Sequence, residues 1–131
     1  MDRTVSVIRP RGSIPMKSVA LVVRHGPGDQ LGVREMVDMA LVLATFDCPV
    51  SVVLQDDGVF WSTLPEFPDQ HPISITGRLK SFPLYDIDTI LIHDSSLTLR
   101  ALTPHDDCPG AIATTAQISV CLQGTDCVLQ A

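Results

Sequence analysis

The chain has 131 residues, 45% hydrophobic and 5% aromatic, which suits one core built from Val, Leu, Ile and Ala and is too apolar for a disordered segment. Its formal net charge is −6, so it gains little from phosphate neutralisation, and direct nucleic-acid binding by this chain alone is disfavoured. No apolar run has the length of a membrane span or of a secretory signal, and Cys48, Cys108, Cys121 and Cys127 form no CxxC pair, so a cytoplasmic protein with free thiols is expected.

Residues 1–15 contain Pro10, Gly12, Pro15 and three arginines without an apolar period. They are predicted to be a flexible amino-terminal extension, with Met16 a candidate alternative start and residues 16–131 the folded domain. Lys17–Arg24 is a short continuous apolar run, the pattern of a buried strand. After the glycine-rich turn His25–Gly32, the residues Val33, Met36, Val37, Ala40, Leu41 and Ala44 recur at helical spacing. Pro49 ends that helix before Asp47-Cys48. Val50–Gln55 reads as a second strand ending in Asp56-Asp57-Gly58.

The stretch 61–72 carries Pro65, Pro68 and Pro72 and is predicted to be a loop. A weak helix is expected over Ser74–Ser81, then a strand at Thr89–His93 and a short helix at Ser95–Ala101. A strand at Ala111–Thr114, a helix at Ala116–Leu122 and a strand at Cys127–Gln130 complete the chain. Alternating strands and helices imply right-handed crossovers and an α/β architecture: a mostly parallel sheet of about five strands with helices on both faces.

Four segments invite chemistry. The turn Gly26-Pro27-Gly28-Asp29-Gln30-Leu31-Gly32 sits where dinucleotide folds cradle a pyrophosphate, but its spacing is GxGxxxG, Pro27 lacks an N–H and Asp29 adds negative charge. A plain tight turn is the simpler reading, and nucleotide or flavin binding an alternative. Asp56–Trp61 leaves the second strand at the carboxyl edge with the chain's one adjacent aromatic pair. Asp57, Phe60 and Trp61 are therefore candidate residues of a subunit interface. The competing reading puts Phe60 in the core and Asp57 at a turn cap.

His93-Asp94-Ser95-Ser96 combines imidazole, carboxylate and hydroxyls, but four consecutive residues do not converge as a catalytic triad does, and no GxSxG elbow is present. Capping of the following helix by Ser95 or Ser96 accounts for the hydroxyls. Cys108 lies in Asp106-Asp107-Cys108-Pro109, whose carboxylates disfavour a thiolate. Cys121 is expected on an apolar helix face and Cys127 in a buried strand. His25, His71, His93 and His105 are scattered, so no metal site is predicted, and no cofactor is implied.

Several segments taken together resemble the TusC/DsrF branch of the DsrE/DsrF-like family. They are Lys17–Arg24, Arg34-Glu35-Met36-Val37-Asp38, Phe46-Asp47-Cys48-Pro49-Val50, Asp56-Asp57-Gly58-Val59-Phe60 and Leu84-Tyr85-Asp86-Ile87. The resemblance runs from about Met16 to the carboxyl terminus. It implies a flavodoxin-like three-layer α/β fold and a heterohexamer with TusD/DsrE-like and TusB/DsrH-like subunits. That complex relays persulfide sulfur towards 2-thiouridine in tRNA or, in the Dsr systems, towards sulfur oxidation. It also implies that the relay cysteine of the TusD/DsrE subunit corresponds to Ile92-His93 here, where no cysteine stands. The expectation is a non-catalytic building subunit. A thiol carrier acting through Cys108, and a homo-oligomer of the isolated chain, are alternatives.

Overall fold

Five short strands pair in parallel into one sheet in the computed structural model, which describes residues 17–26, 30–63 and 79–130. The strands are β1 (Val19–Val23), β2 (Val50–Leu54), β3 (Thr89–His93), β4 (Ala111–Ala113) and β5 (Cys127–Gln130). Their order across the sheet is β4-β3-β2-β1-β5. Val19 of β1 lies opposite Val50 on one side and Cys127 on the other, Ser51 faces Thr89, and Leu91 faces Ala111. The expected α/β class and parallel five-stranded sheet are both present.

The α-helices whose full length lies among the described residues are α1 (Gln30–Thr45), α2 (Asp94–Leu99) and α3 (Thr115–Gln123). Two 3-10 helices, Asp56–Ser62 and Phe82–Tyr85, lie in the β2–β3 connection. β1 is buried along its whole length, as the unbroken VALVV run requires of a strand paired on both sides and covered on both faces.

From β1 to β4 each crossover steps the same way across the sheet, and the last returns past β1 to place β5. Right-handed crossovers then put α1 and α2 on one face and α3 on the other. The packing agrees. Leu21, Val23, Val52, Leu54, Ile90 and Ile92 form one core with Val33, Met36, Val37 and Ala40 of α1 and Leu97 of α2. Val22, Val53 and Ala113 meet Ile118 of α3 on the opposite face.

Several expectations change. Helix α1 begins at Gln30, so Gly32 lies inside it and not in the preceding turn; residues 27–29 of that turn lie outside the described residues. β5 is an edge strand, and Cys127, expected to be buried, is exposed, because a strand paired on one side with little cover cannot bury alternate residues. Of the helix expected over Ser74–Ser81, residues 79–81 are described and helical. The predicted extension 1–15, and the predicted loop beyond Thr63, fall outside the described residues.

Candidate functional site at the carboxyl edge

The sequence Asp56–Trp61 does not form an irregular exposed loop. It turns at once into the 3-10 helix Asp56–Ser62, which folds back over the end of β1. Glycine at position 58 permits this: a Cβ there would stand 1.9 Å from the carbonyl oxygen of Val23, far inside contact distance. Gln55 donates its N–H to that same carbonyl at 3.0 Å. Val59 and Ser62 are fully buried, and the Ser62 hydroxyl donates to the Val59 carbonyl at 2.6 Å.

Trp61 is a correction to the sequence reading. It is 5% exposed and belongs to the core, and its indole N–H donates to the His25 carbonyl at 2.8 Å. A 3-10 turn explains this: at three residues per turn Trp61 lies on the same inward side as Gly58, while Asp57 and Phe60 share the outer side. Phe60 is half-buried and Asp57 exposed. The Phe60 ring lies beside Gly26, where a Cβ would be 3.5 Å from Cδ2.

Asp57 is held by Arg100. The guanidinium donates to Oδ1 from Nε at 3.0 Å and from Nη2 at 2.9 Å, and its Nη1 donates to the Ser96 carbonyl at 3.2 Å. The carboxylate is largely exposed, so the pair contributes no more than about 1 kcal/mol; its effect is to fix the 3-10 helix against α2. Asp56 takes a left-handed backbone conformation with φ 53°, which Asp tolerates better than most residues.

His93 is the centre of a second constellation, at the carboxyl end of β3. Its Nδ1 lies 2.7 Å from Ser96 Oγ and its Nε2 lies 2.7 Å from Thr115 Oγ1. Ser96 Oγ also accepts the Asp56 N–H at 2.9 Å. In a neutral imidazole one of these nitrogens donates and the other accepts, and Ser96 Oγ, with one hydrogen and two lone pairs, can serve Nδ1 in either role while it accepts from Asp56. One chain of hydrogen bonds thus joins the start of the 3-10 helix, the end of β3, α2 and the first residue of α3.

Capping by Ser95 or Ser96, expected from the sequence, is not what forms. In the structure the cap position is His93, with no side-chain cap bond, and α2 starts at Asp94. Ser96 is 2% exposed and committed on both sides, so it is no accessible nucleophile. Among the described residues no carboxylate orients the imidazole from Nδ1, which faces Ser96, and Asp94 stands 3.9 Å from Nε2. The hydrolase geometry therefore does not form.

All four cysteines lie away from this edge. Cys48 and Cys127 flank the amino end of β1: the Cys48 thiol donates to the Lys17 carbonyl at 2.9 Å, and the Cys127 N–H donates to the Ser18 carbonyl at 3.1 Å. Cys108 precedes β4, and Cys121 is half-buried in the second half of α3. Burial raises the Cys108 thiol above its ordinary value; the direction is the expected one, but the cause is burial and not the neighbouring carboxylates. Burial, and then Cys127 and Asp126, raise Cys48 as well. Neither environment favours a thiolate.

Residues 17–129 match the DsrE/DsrF-like family. The chain belongs to the DsrE/DsrF-like family. A protein from Pseudomonas aeruginosa named as a TusC homolog is 30% identical to this family member over 91 residues, covering 66% of this chain and 73% of the relative. The YchN protein of E. coli superposes with a TM-score of 0.74 at 16% identity, covering 88% of this chain and all of YchN. That likeness establishes the shared fold. Among the described residues, no helix of this DsrE/DsrF-like chain is long and apolar enough to cross a membrane.

Proposed function

We propose that this chain is a non-catalytic subunit of a cytoplasmic sulfur-relay assembly of the TusBCD/DsrEFH kind, supporting persulfide transfer towards 2-thiouridine in tRNA. The family match and the TusC-named relative support the relay setting. The observation that carries the non-catalytic part is the carboxyl end of β3. The resemblance implies a relay cysteine there in the partner subunit, and this chain has His93 with both ring nitrogens engaged by Ser96 and Thr115. No cysteine of this chain stands in its place, since all four lie elsewhere, and burial raises the Cys48 and Cys108 thiols away from the thiolate.

In this reading the chain contributes shape and contact surface to an assembly with TusD/DsrE-like and TusB/DsrH-like subunits. Asp57 and Phe60, together on the outer side of the 3-10 helix, are proposed as contact residues; Trp61 supports them from beneath. Co-expression of the full chain with its DsrE-like and DsrH-like neighbours, followed by size-exclusion chromatography, tests the assembly. A stable mixed complex is expected. Three proteins that elute separately at micromolar concentration contradict the reading.

A further inference from the structure

Helix α1 has two apolar sides. Val33, Met36, Val37 and Ala40 face the core. On the outer side Met39 and Val42 stand at i and i+3, 44% and 54% exposed, and Phe46, 67% exposed, comes directly after the last residue of the helix. A helix that is apolar on both sides is expected to be covered on both. The 3-10 helix Phe82–Tyr85 packs against α1 and adds Leu84 and Tyr85, 84% and 44% exposed. Both the end of α1 and this 3-10 helix lie at the amino edge of the sheet, because they lead into β2 and β3. Phe46, Leu84 and Tyr85 therefore lie towards the amino edge, with Met39 and Val42 on the helix that the 3-10 helix packs against, more large exposed apolar side chains than the isolated ones normal on a globular domain.

Exposed carboxylates edge this group. Glu35 continues the α1 stripe one turn before Met39, Asp47 follows Phe46, and Asp86 and Asp88 follow Tyr85. Arg34 on α1 and Lys80, two residues before the 3-10 helix, each interact with other groups of the chain. An isologous contact between two copies would bring these carboxylates against their own duplicates, in a chain already at −6, which opposes self-association.

We propose that the outer face of α1 with the 3-10 helix Phe82–Tyr85 is a docking surface for a different protein, whose matching face has an apolar centre edged by lysine or arginine. It lies at the opposite end of the sheet from Asp57 and Phe60, so an assembly using both would have this chain between two neighbours. Taking the candidate partners to be the DsrE-like and DsrH-like subunits rests on the relay reading above.

The test uses the full chain, with Val42→Lys, Phe46→Lys and Leu84→Lys on the surface, Asp88→Lys on its rim, and Val120→Lys on the exposed side of α3 as the control. Circular dichroism and melting check that each is folded. Binding of each to the purified DsrE-like and DsrH-like subunits is measured by interferometry at two salt concentrations. The expected result is a loss of at least about tenfold in affinity for the three apolar substitutions. Asp88→Lys is expected to slow association and flatten its salt dependence, and Val120→Lys to bind as wild type. Wild-type binding that none of the surface variants weakens overturns the docking surface and leaves the relay reading standing. No binding by wild type overturns the relay reading and this partner together. A wild-type dimer dissolved by Phe46→Lys would assign the face to a second copy, and tighter binding after removal of residues 1–15 would assign it to the chain's own amino-terminal segment; either overturns the proposal.

Discussion

Gly58 and Trp61 make the carboxyl edge a folded feature. A methyl group at position 58 collides with the Val23 backbone, which belongs to the most buried strand and has no room to shift. Gly58→Ala is therefore expected to lower the melting temperature by well over the few degrees typical of a surface change, measured by thermal circular dichroism. Trp61→Ala removes a core ring and leaves the His25 carbonyl without its donor, and is expected to cost about 3–5 kcal/mol in denaturant unfolding. Phe60→Ala is expected to leave the isolated chain folded and to weaken assembly, since Phe60 is half-buried. A melted Phe60→Ala would move that ring into the core and withdraw it as a contact residue.

The Asp-Asp-Gly-Val-Phe-Trp string announced that something special follows β2, but not which aromatic would turn inward. That choice depends on a three-residue turn and on the space beside Val23, both of which are tertiary facts. Arg100 carried no sequence signal at all, because its partner Asp57 is 43 residues away. Ser96 was visible only as a hydroxyl near a helix start, where capping is the common explanation.

At the scale of elements, the strands were legible wherever both neighbours and both faces cover them. The apolar runs of β1, β2 and β3 could be placed within a residue or two. The edge strand β5 was located at its observed residues but judged buried, because its CVL run looks the same whether or not a helix covers it. Helix α3 shows how a short element is held without a large apolar face. Thr114 accepts the Gln117 N–H at 3.2 Å while the Gln117 side chain accepts the Thr114 N–H at 2.8 Å, a reciprocal capping box. Thr114→Ala is expected to destabilise the protein by about 1 kcal/mol in urea. A neutral result would mean that Ile118 and the His93–Thr115 bond hold the helix unaided.

For the molecule as a whole, the half-buried thiol of Cys108 sets a direction for pH. Its folded value is raised, so the protonated thiol is the form the fold favours. Its contribution is complete below the ordinary thiol value and is lost as pH rises from there through the folded value, where the unfolded chain ionises first. Urea unfolding should accordingly show wild type losing stability in alkaline solution faster than Cys108→Ala. Equal losses would mean that the site hydrates freely. Alkylation at neutral pH should reach exposed Cys127 before Cys108.

The same four thiols decide the central claim, that this chain builds the relay without holding its sulfur. The direct measurement is intact-protein and peptide mass spectrometry of the assembled complex after loading by a persulfide donor. It is run beside sulfur-transfer activity with a chain in which Cys48, Cys108, Cys121 and Cys127 are all replaced by Ala. A mass increment of one sulfur confined to partner subunits, with transfer retained by the cysteine-free chain wherever it still assembles, is the predicted result. A persulfide on any of these four residues, together with loss of transfer in a correctly assembled cysteine-free complex, would contradict it.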